Sequence, residues 1–223
     1  MKLSLRALSV ASCVAVLLAA AGTAQAVPIS GTVWSNWSAN VPLFGGLPAA
    51  GTASATFSAT SIDFCVIDSH CTASDPYTIG GFLNSQGNAS GVSGVSFLNG
   101  ATSGSTLDNT LWEFTGTAFF TNGQTFNVEH DDGTVMYVGG TAAGNLVLNQ
   151  PGPTSFNTNT YTYTGVTGNQ NFTFLYGETS GAPAVYETNL IPVTVPTPEP
   201  SSIALLGTGL LAAAGAVRRR LVA

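Results

Sequence analysis

The stretch Gln124–Gly140, QTFNVEHDDGTVMYVGG, decides the fold class of this 223-residue chain. Apolar and polar residues alternate from Gln124 to His130, which is typical of a strand with one buried face. Val135–Val138 forms a second apolar run, and Asp131-Asp132-Gly133 lies between the two runs. An Asp-Gly pair supplies the positive φ that a tight turn needs. The stretch therefore predicts an antiparallel hairpin with an acidic tip.

The rest of the body repeats this pattern of short alternating runs. No long helical periodicity occurs between Val27 and Thr197, and Gly, Asn and Pro separate the runs. So many strands in this length predict two packed antiparallel sheets, an all-β sandwich. The candidate strands are Ile29–Trp34, Thr52–Phe64, Thr78–Leu83, Val95–Leu98, Leu111–Phe120, Gln124–His130, Val135–Val138, Asn145–Leu148, Tyr161–Thr164, Asn171–Tyr176 and Ala184–Asn189.

Aromatic residues are expected to fill the core of this sandwich. Trp112, Phe114 and Phe120 share one parity along a strand, so they should point to the same side. Trp34, Trp37 and Trp112 could instead stack on sugars, but core packing is the default for tryptophan in a small sandwich.

The acidic stretch and its flanks also resemble a known family. Phe126, the Asp131-Asp132-Gly133 turn and the following aromatic and Gly pair are similar to the central hairpin of PA14-like β-sandwich domains, which are of the jelly-roll type. Segments on both sides extend the resemblance over about Leu107 to Leu190. Two features depart from the family pattern: no Arg follows the turn, and Gly139 stands where an Asp is usual.

This resemblance implies a metal site. In the sugar-binding members of the family the paired aspartates coordinate calcium, and calcium binds sugar hydroxyls, so Asp131 and Asp132 are the expected Ca²⁺ ligands here. Two hard oxygen ligands in an acidic domain suit Ca²⁺, which takes about six to eight oxygens. The alternative is a solvated turn without metal.

Other carboxylates allow a catalytic alternative. Glu113, Glu129 and Glu178 could supply the pair that glycoside hydrolysis needs, and His130 could suggest acid–base chemistry. No nucleophile-elbow or zinc-protease motif accompanies them, so we expect no enzyme activity. A third hypothesis is a structural matrix protein without a specific ligand.

The N-terminus has the pattern of a signal peptide. Lys2 and Arg6 precede an apolar run, and Ala24-Gln25-Ala26 predicts cleavage by signal peptidase after residue 26. A lipoprotein with its lipid on Cys13 is the alternative, although the apolar run continues past that cysteine.

The C-terminus combines three elements in a fixed order. Pro198-Glu199-Pro200 precedes the uncharged apolar run Ser201–Val217, and Arg218-Arg219-Arg220 ends it. Such a run predicts a transmembrane helix whose arginines stay in the cytoplasm. This order resembles the PEP-CTERM sorting signal of Gram-negative bacteria. The resemblance implies an exosortase partner, transient tethering to the inner membrane, cleavage near the motif, and delivery to the cell surface or to the exopolysaccharide matrix of a biofilm.

Together these ends predict three regions. They are a signal peptide at residues 1–26, an exported domain at 27–194 and a sorting signal at 195–223. The exported domain has ten acidic residues and no Lys or Arg, a net charge of −10 without histidine. A body of this charge disfavours nucleic acid and anionic membrane surfaces as partners, and it fits neutral polysaccharides or cations.

Cys65 and Cys71 are the two cysteines outside the signal peptide. A close pair in an exported chain predicts a disulfide bond. His70 makes a zinc site conceivable, but no second cysteine pair accompanies it.

The distribution of basic residues predicts an unusual digestion pattern. Trypsin should cut nowhere between Arg6 and Arg218, because no Lys or Arg lies between them. Mass spectrometry of a tryptic digest of the denatured protein checks this, and internal tryptic peptides would contradict it.

Overall fold

The computed structural model describes residues 28–37, 40–43, 45–67, 75–85, 91–190, 207–209 and 212. Residues Ala26–Val193 form one compact unit. Within its described part lie eleven strands and one α-helix: β1 Ile29–Trp34, β2 Ala55–Ala59, β3 Asp63–Val66, α1 Ile79–Asn84, β4 Ser93–Phe97, β5 Thr110–Phe120, β6 Thr125–Asp131, β7 Gly133–Val138, β8 Leu146–Gln150, β9 Asn157–Thr162, β10 Gly168–Glu178 and β11 Ala184–Thr188.

The strands form two antiparallel sheets, as the sequence predicts. The seven-stranded sheet has the order β4-β2-β1-β5-β10-β7-β8, and the four-stranded sheet has the order β3-β11-β6-β9. At the centre of the larger sheet β5 and β10 pair without interruption from Gly168 opposite Phe120 to Glu178 opposite Thr110.

Alternation along each strand places the apolar residues between the sheets. Trp112, Phe114 and Phe120 are fully buried, and Phe126 and Val128 of β6 face them from the smaller sheet. The prediction that these aromatic residues share the core side is confirmed. Trp34 and Trp112 are buried, and Trp37 is half-buried, with its indole N–H donating to the Asn40 carbonyl oxygen at 3.0 Å.

The hairpin predicted at Asp131-Asp132-Gly133 is wrong. β6 belongs to the four-stranded sheet, where it pairs with β9 and β11, whereas β7 belongs to the seven-stranded sheet, where it pairs with β8 and β10. The segment therefore carries the chain from one sheet to the other. None of its residues has a positive φ, and the Asp131–Asp132 peptide bond is cis.

A second correction concerns Thr78–Leu83, which is helical and not a strand. Thr78 caps helix α1, because its hydroxyl accepts a hydrogen bond from the Gly81 amide at 3.0 Å. Ile79, Phe82 and Leu83 have the i, i+3, i+4 spacing of one helical face, and all three are buried. The helix places Phe82 among the core aromatic rings, 4.9 Å from the ring centroid of Trp112.

The predicted strand Thr52–Phe64 is also divided. β2 lies in the seven-stranded sheet and β3 in the four-stranded sheet, with a turn between them. Ala55, Phe57 and Ala59 face the core as the alternation predicts.

Several predictions on the chain ends fall outside the described residues. These are the signal peptide, the Pro198-Glu199-Pro200 motif and the arginine cluster Arg218–Arg220. The apolar run Ser201–Val217 also lies mostly outside them. Among the residues that the structure does describe, no helix is long and apolar enough to cross a membrane. The domain bounds 1–26, 27–194 and 195–223 stay a prediction.

The position of α1 predicts a large effect of one substitution. Phe82→Ala should lower the free energy of unfolding by about 3–5 kcal/mol, because it leaves a cavity between packed rings. Urea unfolding followed by tryptophan fluorescence measures the change.

The matched control is Phe119→Ala on β5, whose side chain is 45% exposed. This control should change the free energy of unfolding by no more than about 0.5 kcal/mol. Equal effects of the two substitutions would mean that α1 is not part of the core.

Candidate functional site

The acidic corner consists of Asp131, Asp132 and Glu178. Asp131 ends β6, Asp132 follows it between the sheets, and Glu178 ends β10 of the seven-stranded sheet. Their exposed fractions are 9%, 8% and 1%. The two aspartates thus do not form the solvated turn that was the alternative to a metal site.

Asp132 holds two loops together. Its Oδ1 accepts a hydrogen bond from the Thr154 amide at 3.0 Å, and its Oδ2 accepts from the Thr179 amide at 2.9 Å and from the Thr179 hydroxyl. Hydrogen bonds to an ionised carboxylate are stronger than those between neutral groups. The charge of Asp132 therefore connects the loop after β8 with the loop after β10.

Gly133 is required by close packing and not by a turn. A Cβ at this position would lie 2.8 Å from the carbonyl oxygens of Pro151 and Gly152. The loop after β8 thus crosses directly over the corner. Any side chain at residue 133 would push this loop, and with it Thr154, away from Asp132.

His130 is a structural residue of the corner. It is fully buried, its Nδ1 lies 2.6 Å from the Asp132 carbonyl oxygen, and its Nε2 lies 3.0 Å from Nδ2 of Asn159. Since a carbonyl oxygen only accepts, Nδ1 donates, and Nε2 accepts from the Asn159 amide. Burial lowers the pKa of His130, so the ring is neutral and both of its nitrogens are occupied. This arrangement gives no support to an acid–base role.

Glu178 is the strongly perturbed carboxyl group of the corner. Tyr77 donates to its Oε1 at 2.7 Å and Tyr176 lies 2.6 Å from its Oε2. The pKa of Glu178 is raised to about 8, chiefly by burial. The two hydrogen bonds from tyrosine lower this pKa, and the charges of Asp132 and Asp131 raise it. Glu178 is thus largely protonated at neutral pH.

A protonated Glu178 also completes the hydrogen bonding of Tyr176. The Tyr176 hydroxyl contacts both the Asp131 carbonyl oxygen and Glu178, but its single proton serves one acceptor at a time. When Glu178 carries a proton on Oε2, the Tyr176 hydroxyl accepts a hydrogen bond from Glu178 and donates one to the Asp131 carbonyl oxygen.

The acidic corner offers some, but not all, of the oxygen ligands that a hard cation such as Ca²⁺ needs. Carboxylate oxygens of Asp131 and Asp132 are the kind of ligand that Ca²⁺ takes, and the described part of the chain holds no Lys or Arg to neutralise them. The described residues contain no group of three or more His, Cys, Asp or Glu side chains arranged to hold a metal. Further ligands would have to be backbone carbonyls, amide side chains or water.

The carboxylates considered for glycoside hydrolysis do not meet. Glu178 points to the core side of its sheet, and Glu113 lies opposite Leu175 on the other side of the same sheet. Glu129 lies on the outer face of the four-stranded sheet, because its neighbours Val128 and His130 are buried. No two of the three can flank one glycosidic bond.

The structure brings together three other carboxylates that the sequence leaves apart. Glu187 on β11 lies opposite both Asp63 on β3 and Glu129 on β6, so the three form a row across the outer face of the four-stranded sheet. No local sequence signal indicates this row, because strand order in the sheet does not follow chain order.

The disulfide predicted between Cys65 and Cys71 stays a prediction. Cys65 is buried on β3, and Cys71 and His70 lie outside the described residues.

Comparison with known proteins agrees with both resemblances. Residues 196–220 match the family described as the PEP-CTERM protein-sorting motif. The chain therefore carries the sorting motif of an exported protein that is processed at the membrane. The comparison with curated proteins found no match to this sequence.

Among solved structures, the PA14 domain of the antifreeze protein MpAFP is similar to this chain. The TM-score is 0.51 at 20% identity, over 76% of this chain and 84% of that one. The PA14 sugar-binding domain from an RTX adhesin gives a TM-score of 0.49 at 19% identity, over 74% and 90% of the two chains. The match to the MpAFP domain shows that the body of the chain has a PA14-like fold, and at 20% identity it shows the fold alone.

A β-glucosidase from Kluyveromyces marxianus, solved in complex with glucose, is more distant. Its TM-score is 0.30 at 13% identity, and the match spans 70% of this chain but 19% of the enzyme. This match carries no information on activity.

The buried carboxyl group of Glu178 predicts a pH-dependent stability. Between about pH 4.5 and 8 the unfolded chain releases this proton while the folded chain keeps it, so the free energy of unfolding should fall as pH rises. Glu178→Gln removes the titration and keeps a hydrogen-bonding side chain, so its stability should change less between about pH 5 and 9. Urea unfolding in the presence of EDTA measures both curves.

Glu129→Gln makes the same chemical change on the outer face of the four-stranded sheet and serves as the control. A control variant with an equally flattened curve would contradict the assignment of the pH dependence to Glu178.

Proposed function

We propose that this protein is an exported, non-catalytic binding protein that holds extracellular polysaccharide through Ca²⁺ at Asp131 and Asp132. The observation that carries the proposal is the burial of both aspartates where the chain passes between the sheets. An anion taken out of water is costly unless a cation or hydrogen bonds compensate it. Asp132 has three hydrogen-bond donors, but the described part of the body contains no Lys or Arg.

The chemistry of calcium joins this site to a carbohydrate ligand. Ca²⁺ accepts six to eight oxygens in flexible geometry, so it binds neutral hydroxyl groups together with carboxylates. A polysaccharide offers pairs of such hydroxyls along its whole length. The negative charge of the body disfavours polyanions, which supports a neutral polymer as the ligand.

The sorting motif supports a location of this binding outside the cell. The predicted signal peptide delivers the chain to the inner membrane, and the predicted helix Ser201–Val217 with Arg218–Arg220 holds it there. An exosortase then acts at Pro198-Glu199-Pro200 and releases the body to the cell surface or to the matrix. Polysaccharide is the main polymer in that location, as the resemblance to PEP-CTERM proteins implies.

The arrangement of carboxylates supports binding without catalysis. Glu113, Glu129 and Glu178 lie on three different faces, and His130 has both nitrogens in hydrogen bonds. A secreted glycan hydrolase that uses these residues, which was the alternative, has no support from this geometry.

Calorimetry with CaCl2 tests the metal site. The full chain in a detergent without sugar groups should bind Ca²⁺ at micromolar to millimolar concentration, and Asp131→Asn and Asp132→Asn should each weaken binding by about tenfold or more. Addition of EDTA should release the protein from a column of neutral polysaccharide.

Asp63→Asn is the matched control, because it removes the same charge from the outer face of the four-stranded sheet. Thermal unfolding in EDTA shows whether each variant is folded. Absence of Ca²⁺ binding at millimolar concentration in the folded wild-type protein would disprove the proposal, as would an equal loss in Asp63→Asn.

A further inference from the structure

We infer that the domain has a second binding site, a calcium-independent cleft for a neutral oligosaccharide, at the end of the sandwich opposite the acidic corner. The end cleft lies between the start of β8 and the loop after β9. Its volume is about 550 Å³, within the range of small-molecule sites.

The end cleft is separate from the acidic corner. Val138, the last residue of β7, lines the cleft, and Gly133, the first residue of β7, lies at the corner. Five residue steps along a strand cover roughly 17 Å. Thr162 at the end of β9 also lines the cleft and lies opposite Thr125, the residue of β6 farthest from Asp131. The cleft itself therefore does not include the aspartates.

The surroundings of the cleft are uncharged in an otherwise acidic body. No Asp, Glu, Lys, Arg or His lines the cleft, and the sequence contains none of these residues from Gly133 to Gly177. A charged ligand would find no partner here, and an anionic one would be repelled by the net charge of the body. These conditions favour a neutral ligand.

Two side-chain amides converge within the cleft. Oδ1 of Asn145 and Oε1 of Gln170 each lie 3.8 Å from the position that a Cβ on Gly139 would take. Neither amide group has a hydrogen-bond partner among the described residues. Each amide offers donors and acceptors together, the combination that pairs with the adjacent hydroxyls of a sugar ring.

The cleft also offers apolar surface and an open floor. Val166 is 75% exposed at its rim, and an apolar side chain there suits the C–H face of a sugar. Gly139 has φ 87°, a conformation that favours glycine, and its missing side chain leaves the space into which both amides point. Amides, hydroxyls and apolar surface without charge are the features of a site for a neutral polyhydroxylated ligand.

The position of the cleft makes an extended ligand possible. β8 is the last strand of the seven-stranded sheet and β9 is the last strand of the four-stranded sheet, so the cleft lies at the open side where both sheets end. A polymer could enter and leave along this side. A domain with both the end cleft and the acidic corner could bind two polysaccharide segments at once. This double binding rests on the proposed function of the corner, whereas binding in the end cleft does not.

Saturation-transfer NMR in EDTA tests the cleft. The probes are the neutral hexasaccharides of β-1,4-, β-1,3- and α-1,4-linked glucose, with hexagalacturonate as an anionic probe and an uncharged octapeptide of Ser, Gly, Thr and Asn. The full chain in a detergent without sugar groups should bind at least one neutral hexasaccharide at millimolar concentration and should not bind hexagalacturonate.

Gly144→Trp blocks the cleft without strain in the backbone. Gly144 lines the cleft, no φ restriction applies to it, and a Cβ there would meet nothing within 4 Å. Gly51→Trp is the matched control, because Gly51 is also the middle residue of a short 3-10 helix with open space around it. Gly144→Trp and the double variant Asn145→Ala/Gln170→Ala should each weaken binding by about tenfold or more, and Gly51→Trp should not.

The outcomes separate the end cleft from the acidic corner. Asp132→Asn should leave this EDTA-resistant binding unchanged, even if the calcium proposal fails. The inference is overturned if none of the three neutral hexasaccharides binds, if Gly51→Trp weakens binding as much as Gly144→Trp, or if the octapeptide alone binds in a Gly144-dependent manner, which would make the cleft a peptide site.

Discussion

The passage of the chain between the two sheets at Asp131-Asp132-Gly133 is the constraint on which the rest of the structure depends. β6 and β7 are neighbours in sequence but belong to opposite sheets, so the connection between them cannot be secured by a shared ladder of hydrogen bonds. Side chains secure it instead. Asp132 accepts hydrogen bonds from Thr154 and Thr179, and His130 donates to the Asp132 carbonyl oxygen. The same carboxylate that suits a cation thus also fixes the loops around it, because a rigid anion satisfies both requirements.

Burial of this corner without a Lys or Arg nearby shapes its electrostatics. Protonation neutralises Glu178. Three hydrogen bonds from Thr154 and Thr179 instead hold the two carboxylate oxygens of Asp132 in place. The proton on Glu178 lets Tyr176 donate to the Asp131 carbonyl oxygen, while Tyr77 donates to the other oxygen of Glu178. A dication at the corner would therefore bind next to a group that can lose a proton in response. The two ends of the sandwich differ in charge, since the acidic corner holds three carboxyl groups and no Asp, Glu, Lys, Arg or His lines the end cleft.

Helix α1 illustrates how a small domain fills its core. Two sheets of unequal width leave space at one side, and Ile79, Phe82 and Leu83 fill it from a single helical face. The sequence makes Thr78–Leu83 a candidate strand, but the spacing of these three residues is that of a helical face, and the tertiary context decides in favour of the helix. The Thr78 cap and the close approach of Gly81 to Pro76 fit the helix into this position, since a Cβ on Gly81 would overlap the Pro76 carbonyl oxygen.

The sequence by itself determined the elements whose causes are local. Alternation along β1, β5 and β6 identified the strands and their buried faces, and the absence of Lys and Arg defined the acidic body. The order of motif, apolar run and arginines identified the sorting signal. Only the tertiary structure decided which strands share a sheet, because strand pairing joins residues far apart in the chain. For this reason the acidic stretch became a connection between the sheets. Strand pairing also placed Asp63, Glu129 and Glu187 side by side. It separated Glu113 and Glu178 onto opposite faces of one sheet. Asn145 and Gln170 converge over Gly139 by the same cause, since only the folded sheets bring these distant segments together.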